Sequence, residues 1–491
     1  MKKLLLTLVT LVTATAASAQ TVTVLWDGED TKITSLNNFA GWWDRGNPTL
    51  VDNPEKDGIN KSNKCLKFTM TGNDFGQKHV ALPFRDWIKP DLKGNRRLSF
   101  MIKKEVNDNV LVELSDPTNG AANYWQKVAA WYGGGGKWQK VVLDFSKNDG
   151  LNDFPGVFAI TAQTGSVTSN QDVYIDNIVI EPVPMVGTTP LKDITDGSLT
   201  GNITLRGSYM NGDCQNANGD WFKVEYNDFA TLEAKLGDNA VTSVDMRGTI
   251  LKDAYNSTRG KNPNCIVYAD AFFAENNENV VANEATSKLI LNDAYPFNAP
   301  TGFDATTVEL KRGVKDGINT FCLPFEVTPS EVSANKIATY TSSTADAVNF
   351  TTADKVNANT PFITVDATKV DKETGFTFSN KKIVATPASL GTPFQGTYKP
   401  LTDTSGMYGI NKDGKFQQGS TTSVPCYAFH AYLTEIPSTA RSIDIDGETT
   451  GISNVSLENP VKEIYNLNGV RVNKIGNKGI YIINGKKVIV K

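Results

Sequence analysis

Short apolar runs that alternate with polar residues and stop at Gly, Asn, Asp and Pro clusters recur along the whole chain. In the first third they are Val22 to Trp26, Lys64 to Met70, His79 to Leu82, Arg97 to Ile102, Asn109 to Leu114, Trp138 to Phe145, Val157 to Ala162 and Val173 to Ile180. Period-two alternation is the mark of half-buried strands. Eight of them across residues 20–181 predict a β-sandwich of jelly-roll type. The proline-bearing stretch through residues 182–190, PVPMVGTTP, has no period and reads as a linker. From 191 to 312 the pieces VTSVDM, NCIVYA, NVVAN and KLILND suit either an irregular sheet or a few coils of a β-solenoid. A single helix is expected from Asp228 to Leu236, with Asp228 as its N-cap. Residues 313–448 read as a further all-β domain. Residues 449–491 read as a small module of about four strands, because Asn468-Gly469 and Asn484-Gly485 each lie between alternating apolar residues. The fold class is therefore mainly β.

The start of the chain changes where this protein is expected to work. Lys2 and Lys3, an apolar run from Leu4 to Val12 and small residues at Ala17, Ser18 and Ala19 make residues 1–19 a secretory signal peptide. Gln20 rather than cysteine follows the cleavage position, so no lipid anchor is expected there. No later run approaches the roughly 20 apolar residues of a transmembrane helix. A net charge of -4 over 491 residues gives no reason to expect nucleic acid or an anionic membrane as partner. Neutral polymers fit better. The five cysteines, Cys65, Cys214, Cys265, Cys322 and Cys426, lack the C-x-x-C spacing of zinc sites, and buried apolar thiols are expected for most of them. Were a disulfide to form, Cys214 with Cys265 is the pair placed in one predicted domain.

Three segments resemble known families. LWDGED, GKWQKVVLDFS and VYIDNIVIEP resemble jelly-roll carbohydrate-binding modules of the galactose-binding-like superfamily. NTFCLPFEV, TPFITV, FQGTY, YAFHAYL and DGETTGI, preceded by NPNCIVYAD and LNDAYPFNAP, resemble accessory β-domains of large Bacteroidetes surface proteins. The tail EIYNLNGVRV followed by KGIYIINGKKVIVK resembles the C-terminal sorting modules of that group, which an outer-membrane export machine reads. These resemblances imply a glycan-binding protein on the cell exterior, or secreted, with the export machinery as a partner.

Sugars are held by aromatic faces and planar polar side chains. Besides Trp26, six of the eight tryptophans, Trp42, Trp43, Trp87, Trp125, Trp131 and Trp138, fall in the first block. FAGWWDRGN and NYWQKVAAWYGGGG read as loops or strand ends, which makes Trp42, Trp43, Trp125 and Trp131 the stacking candidates, with Tyr124 and Tyr132 behind them. Asp44, Arg45, Asn123 and Gln126 would supply hydrogen bonds. Trp87 and Trp138 are assigned to the core, and Gly133 to Gly136 to a flexible hairpin loop. The jelly-roll resemblance also implies a structural calcium ion tying the first and last strands, for which Asp27, Glu29 and Asp176 carry hard oxygen ligands.

Catalysis has little material. His79 and His430 fall in different predicted domains, and no G-x-S-x-G, H-E-x-x-H or phosphate loop occurs. The reading is a non-catalytic glycan binder; the alternatives are an adhesin or structural surface protein contacting a protein or matrix partner, and a glycoside hydrolase, which needs only two carboxylates.

Overall fold

The protein is described by a computed structural model that covers residues 23–29, 49–56, 59–70, 79–83, 97–115, 126–145, 157–161, 170–181, 184–207, 209, 213–215, 221–223, 228–249, 261–270, 278–421, 425–440, 442–449, 464–466, 472, 479–483 and 486–490. The described residues are mainly β, with 52% strand and 5% helix. Ten strands lie in the first block: β1 Thr23–Trp26, β2 Thr49–Asp52, β3 Lys64–Met70, β4 His79–Pro83, β5 Arg97–Lys103, β6 Asp108–Ser115, β7 Gln126–Tyr132, β8 Gln139–Asp144, β9 Val157–Thr161 and β10 Gln171–Glu181. They form two sheets. The first runs β2-β3-β10-β5-β8, with β1 also paired to β10. The second contains β7-β6-β9-β4. Leu66, Phe68, Phe100, Ile102 and Ile175 from the first sheet meet Val110, Val112, Val128 and Tyr132 from the second in one core, as alternation requires of facing sheets.

The second sheet does not end with the first block. Beyond residue 181 come β11 Met185–Val186, β12 Thr189–Pro190, β13 Leu199–Arg206, β14 Asp213–Gln215 and β15 Trp221–Lys223. The β14–β15 hairpin turns back and adds to β7, so that the second sheet reads β15-β14-β7-β6-β9-β4. Cys214 of β14 is fully buried in the sandwich core. The stretch read as a linker is likewise structured: β11 pairs with β12 and with β13. Thr49–Asp52 and Gln126–Tyr132, which alternation did not single out, are strands of the sandwich.

The next part is a parallel ladder. β13 pairs in parallel with β16 Leu236–Asp245, β16 with β17 Ile266–Tyr268, and β17 with β18 Val280–Val281. β19 Ala285–Asn292 then pairs in parallel with β20 Phe303–Lys311. Buried asparagines hold the turns between these rungs. Asn262 Nδ2 donates to the Val241 and Pro296 carbonyls, Asn264 Nδ2 to those of Asn292 and Tyr295, and Asn279 Nδ2 to those of Pro263 and Ile290. Each amide satisfies backbone that a tight turn would otherwise leave unpaired. β20 pairs in turn with the antiparallel strand Phe376–Ile383, and one apolar core extends from Ile266 to Phe429 across the predicted boundary at 312/313. Among the described residues the tail holds three antiparallel strands, Ile464–Asn466, Gly479–Ile483 and Lys486–Val490. Ile483 opposite Lys486 leaves a two-residue connection at 484–485. Asn468-Gly469 and the signal peptide lie outside the described residues.

The cysteines share no bond. Cys65, Cys214, Cys265 and Cys322 are buried and Cys426 is half-buried. Cys214 belongs to the sandwich core and Cys265 to the ladder core, so the pair placed together by sequence is split between two cores.

The helix α1 spans Asp228–Lys235. Its first residue does more than start a helix. Asp228 closes a two-pronged pair with Arg97 of β5, at 2.5 Å and 3.2 Å, and Arg97 Nε also donates to Asp144 of β8 at 3.0 Å. All three side chains are at most 4% exposed. Removing one member of a buried ion pair leaves charge without compensation, which costs about 3–5 kcal/mol. Asp228→Ala should therefore lower the unfolding free energy of the full chain by about 3 kcal/mol in urea titration, whereas Asp196→Ala, which loses only the exposed bridge to Lys235, should change it by less than about 1 kcal/mol.

Candidate functional site

Strand phase decides which residues of the second sheet face outward. Val128 and Tyr132 of β7, Val110 and Val112 of β6 and Cys214 of β14 enter the core. Residues between them belong to the opposite face. One outward row can be followed through six strands by cross-strand register: Trp221, Gln215, Ala129, Leu111, Thr161 and His79. The row on one side holds Trp131 opposite Asn109. On the other side Lys127, Glu113, Ala159 and Ala81 follow one another. Ala129 is only 1% exposed although it lies in the outward row, so neighbours stand over it. Trp131, one same-face step along β7, has 57% of its surface exposed.

An exposed tryptophan on a regular strand would be a liability were it not fixed for a purpose. The local chain fixes it. Gln139 of β8 accepts the Gly133 amide at 2.8 Å and donates to the Trp131 carbonyl at 3.0 Å. A Cβ on Gly133 would stand 3.1 Å from Trp131 Nε1, so the missing side chain is what lets the indole lie back over the turn. The following glycines, expected to be flexible, are tied down instead. The Gly135 amide donates to Asn107 Oδ1 at 2.9 Å, the Gly136 amide to the Lys104 carbonyl at 3.0 Å, and Lys103 Nζ bonds the Gly136 carbonyl. Lys103 and Lys137 both pair with Glu55. A ring held by its own strand end loses little freedom on binding, which favours affinity.

Tyr132 is a correction. Grouped with Trp131 as a stacking candidate, it lies on the other face of β7 and is 0% exposed. Its hydroxyl donates to the Lys104 and Lys137 carbonyls and accepts the Lys104 amide, while the Lys104 ammonium lies 5.2 Å from its ring centroid. Alternation explains the difference: neighbours on a strand cannot both face a ligand. Trp138, assigned to the core, is 5% exposed and donates from Nε1 to Asn53 Oδ1. Trp42, Trp43, Asp44, Arg45, Trp87, Asn123, Tyr124 and Trp125 lie outside the described residues. Gln126 opens β7, where only its backbone is described.

The hairpin that carries Trp221 is what sequence reading passed over, because it lies 40 residues beyond the end of the first block; of Trp221 only the backbone is described. A signal was present. Asn218-Gly219 between the short runs DCQ and WFK marks a hairpin turn.

At the opposite edge, the acids Asp27, Glu29 and Asp176 do not form one carboxylate cluster: among the described residues no three His, Cys, Asp or Glu side chains come together as a metal-holding group. Glu29 Oε1 accepts the amides of Asn63 at 2.5 Å and Lys64 at 3.0 Å, which holds its carboxyl below the usual range. Asp176 is different. The register of β10 against β5 shifts between Asp176 and Val179, and Asn177 takes φ 47°. This bulge turns Asp176 inward, to 0% exposure. Its donors are Asn60 Nδ2 at 2.9 Å, the Asn177 amide at 2.7 Å and Ser62, all neutral. Burial pushes its carboxyl up to about 6 against those bonds, and the charge of Asp27 adds to the rise. Gly28, at φ 79°, lets the chain pass. A Cβ there would lie 2.3 Å from the Lys64 carbonyl oxygen and 2.8 Å from Asp176 Oδ1. Asp176 and Asp27, with the Lys64 carbonyl, supply hard oxygens of the kind calcium takes, while Glu29 is spent on backbone amides.

Of the histidines, His430 is half-buried on the strand His430–Leu433, and burial followed by the charges of Arg312 and Lys372 lowers its pKa well below the usual value. It stays neutral at physiological pH. For His79 only the backbone, on β4, is described.

No family model matches the chain, and no curated protein matches it. Solved structures show a limited likeness. A carbohydrate-binding module of the β-sandwich superfamily, studied for promiscuous specificity, is 14% identical, with 32% of this chain and 60% of that one covered at a TM-score of 0.24. This chain thus spans about 60% of that relative's length. The family 11 carbohydrate-binding module of a Clostridium thermocellum cellulosomal cellulase is 15% identical, with 33% and 95% covered at 0.22. An exo-β-agarase is 17% identical, with 43% and 30% covered at 0.25.

A titration follows from Asp176. Its raised folded-state pKa, compared with 3.8 in a free side chain, means that its contribution to stability is fully present below about pH 3.8 and lost as pH rises through about 6. In EDTA, the stability of the parent relative to Asp176→Asn should be more favourable at pH 4.5 than at pH 7.5 by about 2 kcal/mol. The pair of urea unfolding curves at each pH measures it.

Proposed function

We propose that the protein binds a neutral glycan, without transforming it, on the outward face of the second sandwich sheet around Trp131. The observation that carries this reading is the exposed indole of Trp131 at the end of β7, where Gln139 holds the backbone and Gly133 leaves room for the ring. A pyranose presents an apolar face of axial C–H groups, and a preset aromatic ring beside small residues offers a matching shelf. Asn109 stands opposite Trp131, with the planar amide that hydroxyl groups need. The net charge of -4 suits a neutral ligand better than a polyanion. Individual contacts of this kind are weak, and display of many copies at a cell surface would strengthen them. Export and surface display, with the tail module addressing an outer-membrane machine, belong to the same proposal; among the described residues no helix is long and apolar enough to cross a membrane.

Calcium is a second element of the reading. The ion would sit at Gly28 between Asp27, Asp176 and the Lys64 carbonyl, and would hold β1, β3 and β10 together by neutralising a buried carboxylate.

Two outcomes check these readings. Isothermal titration of the full chain against mixed-linkage β-glucan, laminarin, xylan and galactomannan should find binding to at least one polymer, and Trp131→Ala should weaken it by tenfold or more. Gly133→Ala should weaken it less, by displacing the ring. Undiminished binding by Trp131→Ala would move the site elsewhere. Millimolar calcium should raise the melting temperature of the parent at pH 7.5 and leave Asp176→Asn unchanged; equal shifts in both would remove the ion from this position.

A further inference from the structure

A second concave site lies on the other face of the sandwich from Trp131, where the first sheet meets the ladder. We infer that this cavity binds a sugar bearing a single negative charge, carried by a carboxylate or a sulfate ester, with the charge held at Arg206 and Arg247. The inference stands apart from the reading of the Trp131 face.

Strand phase places the cavity. Leu98, Phe100 and Ile102 of β5 and Val141 and Leu143 of β8 enter the sandwich core, so Ser99, Met101 and Lys140 belong to the outward face of the first sheet. Residues of β11, the end of β13 and the turn after β16 stand over that face and enclose a cavity of about 510 Å³. Small-molecule sites run from about 300 to 1,000 Å³ and are mostly apolar with a few placed polar groups. The sides here fit that description: Met101 and Val179 come from the sandwich, Met185 and Leu205 from the covering strands. Such walls suit the C–H faces of a sugar ring.

The floor is polar. On β5, Ser99 lies between Arg97, the cross-strand partner of Glu181, and Met101, the partner of Lys140. Over it, Ser99 Oγ donates to Glu181 Oε1 at 2.7 Å, and the Lys140 ammonium pairs with the same oxygen. Ser99 is 0% exposed and Glu181 4%. Both bonds fall on Oε1, and among the described residues none falls on Oε2. Glu181 Oε2 as acceptor and the remaining ammonium hydrogens of Lys140 as donors answer ring hydroxyl groups.

The charge balance selects the ligand. Lys140 offsets Glu181. At the mouth, Asp245 grips Arg247, Nε to Oδ1 at 2.8 Å and Nη2 to Oδ2 at 2.6 Å, which presets a guanidinium that also lies 5.7 Å from the Tyr268 ring centroid. Arg206 is exposed, pairs with no carboxylate among the described residues, and acts on Asp245 through its field. Two arginines against one aspartate leave one positive charge facing the cavity. A carboxylate or a sulfate ester matches that charge, a doubly charged phosphate ester exceeds it, and a guanidinium fork takes two oxygens of one such group. The chain's net charge of -4 does not oppose this, since charges more than about 10 Å away are screened at ordinary salt.

The test is isothermal titration of the full chain with glucuronate, galacturonate, galactose 6-sulfate, glucose and galactose at low salt. At least one charged sugar should bind about tenfold or more tightly than the neutral two, and added salt should weaken it. Arg206→Ala, a change at an exposed side chain, should lower that affinity about tenfold or more. In the parent, the bound sugar should protect Arg206 and Arg247 from phenylglyoxal, read by peptide mass, and this arm does not depend on how a variant folds. Binding of the uronates alone assigns the anion to a carboxylate; binding of the sulfated sugar alone assigns it to a sulfate ester. No binding of any charged sugar would overturn the inference. So would parental affinity in Arg206→Ala with both arginines modified equally in the bound and free states, or a loss of charged-sugar binding in Trp131→Ala in place of Arg206→Ala.

Discussion

The two-pronged pair between Arg97 and Asp228 is the constraint on which the arrangement depends. It joins the middle of one sandwich sheet to the helix that follows the β14–β15 hairpin, across 131 positions of sequence. Two oxygens of one carboxylate meet two nitrogens of one guanidinium, and Asp144 takes a third donor from the same group. Buried charges are costly to strand, so the pair converts a possible swing of the second part of the chain into a penalty of several kcal/mol. The second sandwich sheet takes in the β14–β15 hairpin, which lies in sequence between the ladder strands β13 and β16, and the Arg97–Asp228 pair adds a second link.

From that constraint the outward face acquires its character. With the hairpin added, the second sheet has six strands and the row through Ala129 runs across all of them. Ala129 is buried within that row, and Trp131, one same-face step along β7, is exposed. The same core geometry that buries Tyr132 presents Trp131, since alternation sends adjacent residues to opposite faces. Core packing and surface exposure are therefore set by the phase of one strand.

Much of the fold could be read from the sequence because alternation is a local signal. Lys64–Met70 is the strand expected from its pattern, and the seven other runs differ from theirs by one or two residues at one or both ends. Thr49–Asp52 was missed because it lies largely exposed at the sheet edge and shows no alternation of burial. β7 was missed because its aromatic pair beside a glycine run resembles a loop, and the difference between Trp131 and Tyr132 appears only once the strand phase is known. Asp228 was legible as the start of a helix, yet its partner Arg97 was not, since nothing local connects them. The β14–β15 hairpin has three-residue strands, too short for periodicity to register, and its place beside β7 is a long-range pairing that only tertiary structure supplies. Asp176 shows the same limit: the carboxylate was visible, but the bulge that buries it was not.

The most direct test of the central claim is a titration of the full chain, with 15N-labelled indoles, against a bound polysaccharide from the panel, followed by the tryptophan Nε1 resonances. The account predicts that the Trp131 resonance moves with ligand while those of the buried Trp26 and Trp138 stay in place. A saturable shift confined to other tryptophans, with Trp131 unmoved, would contradict it.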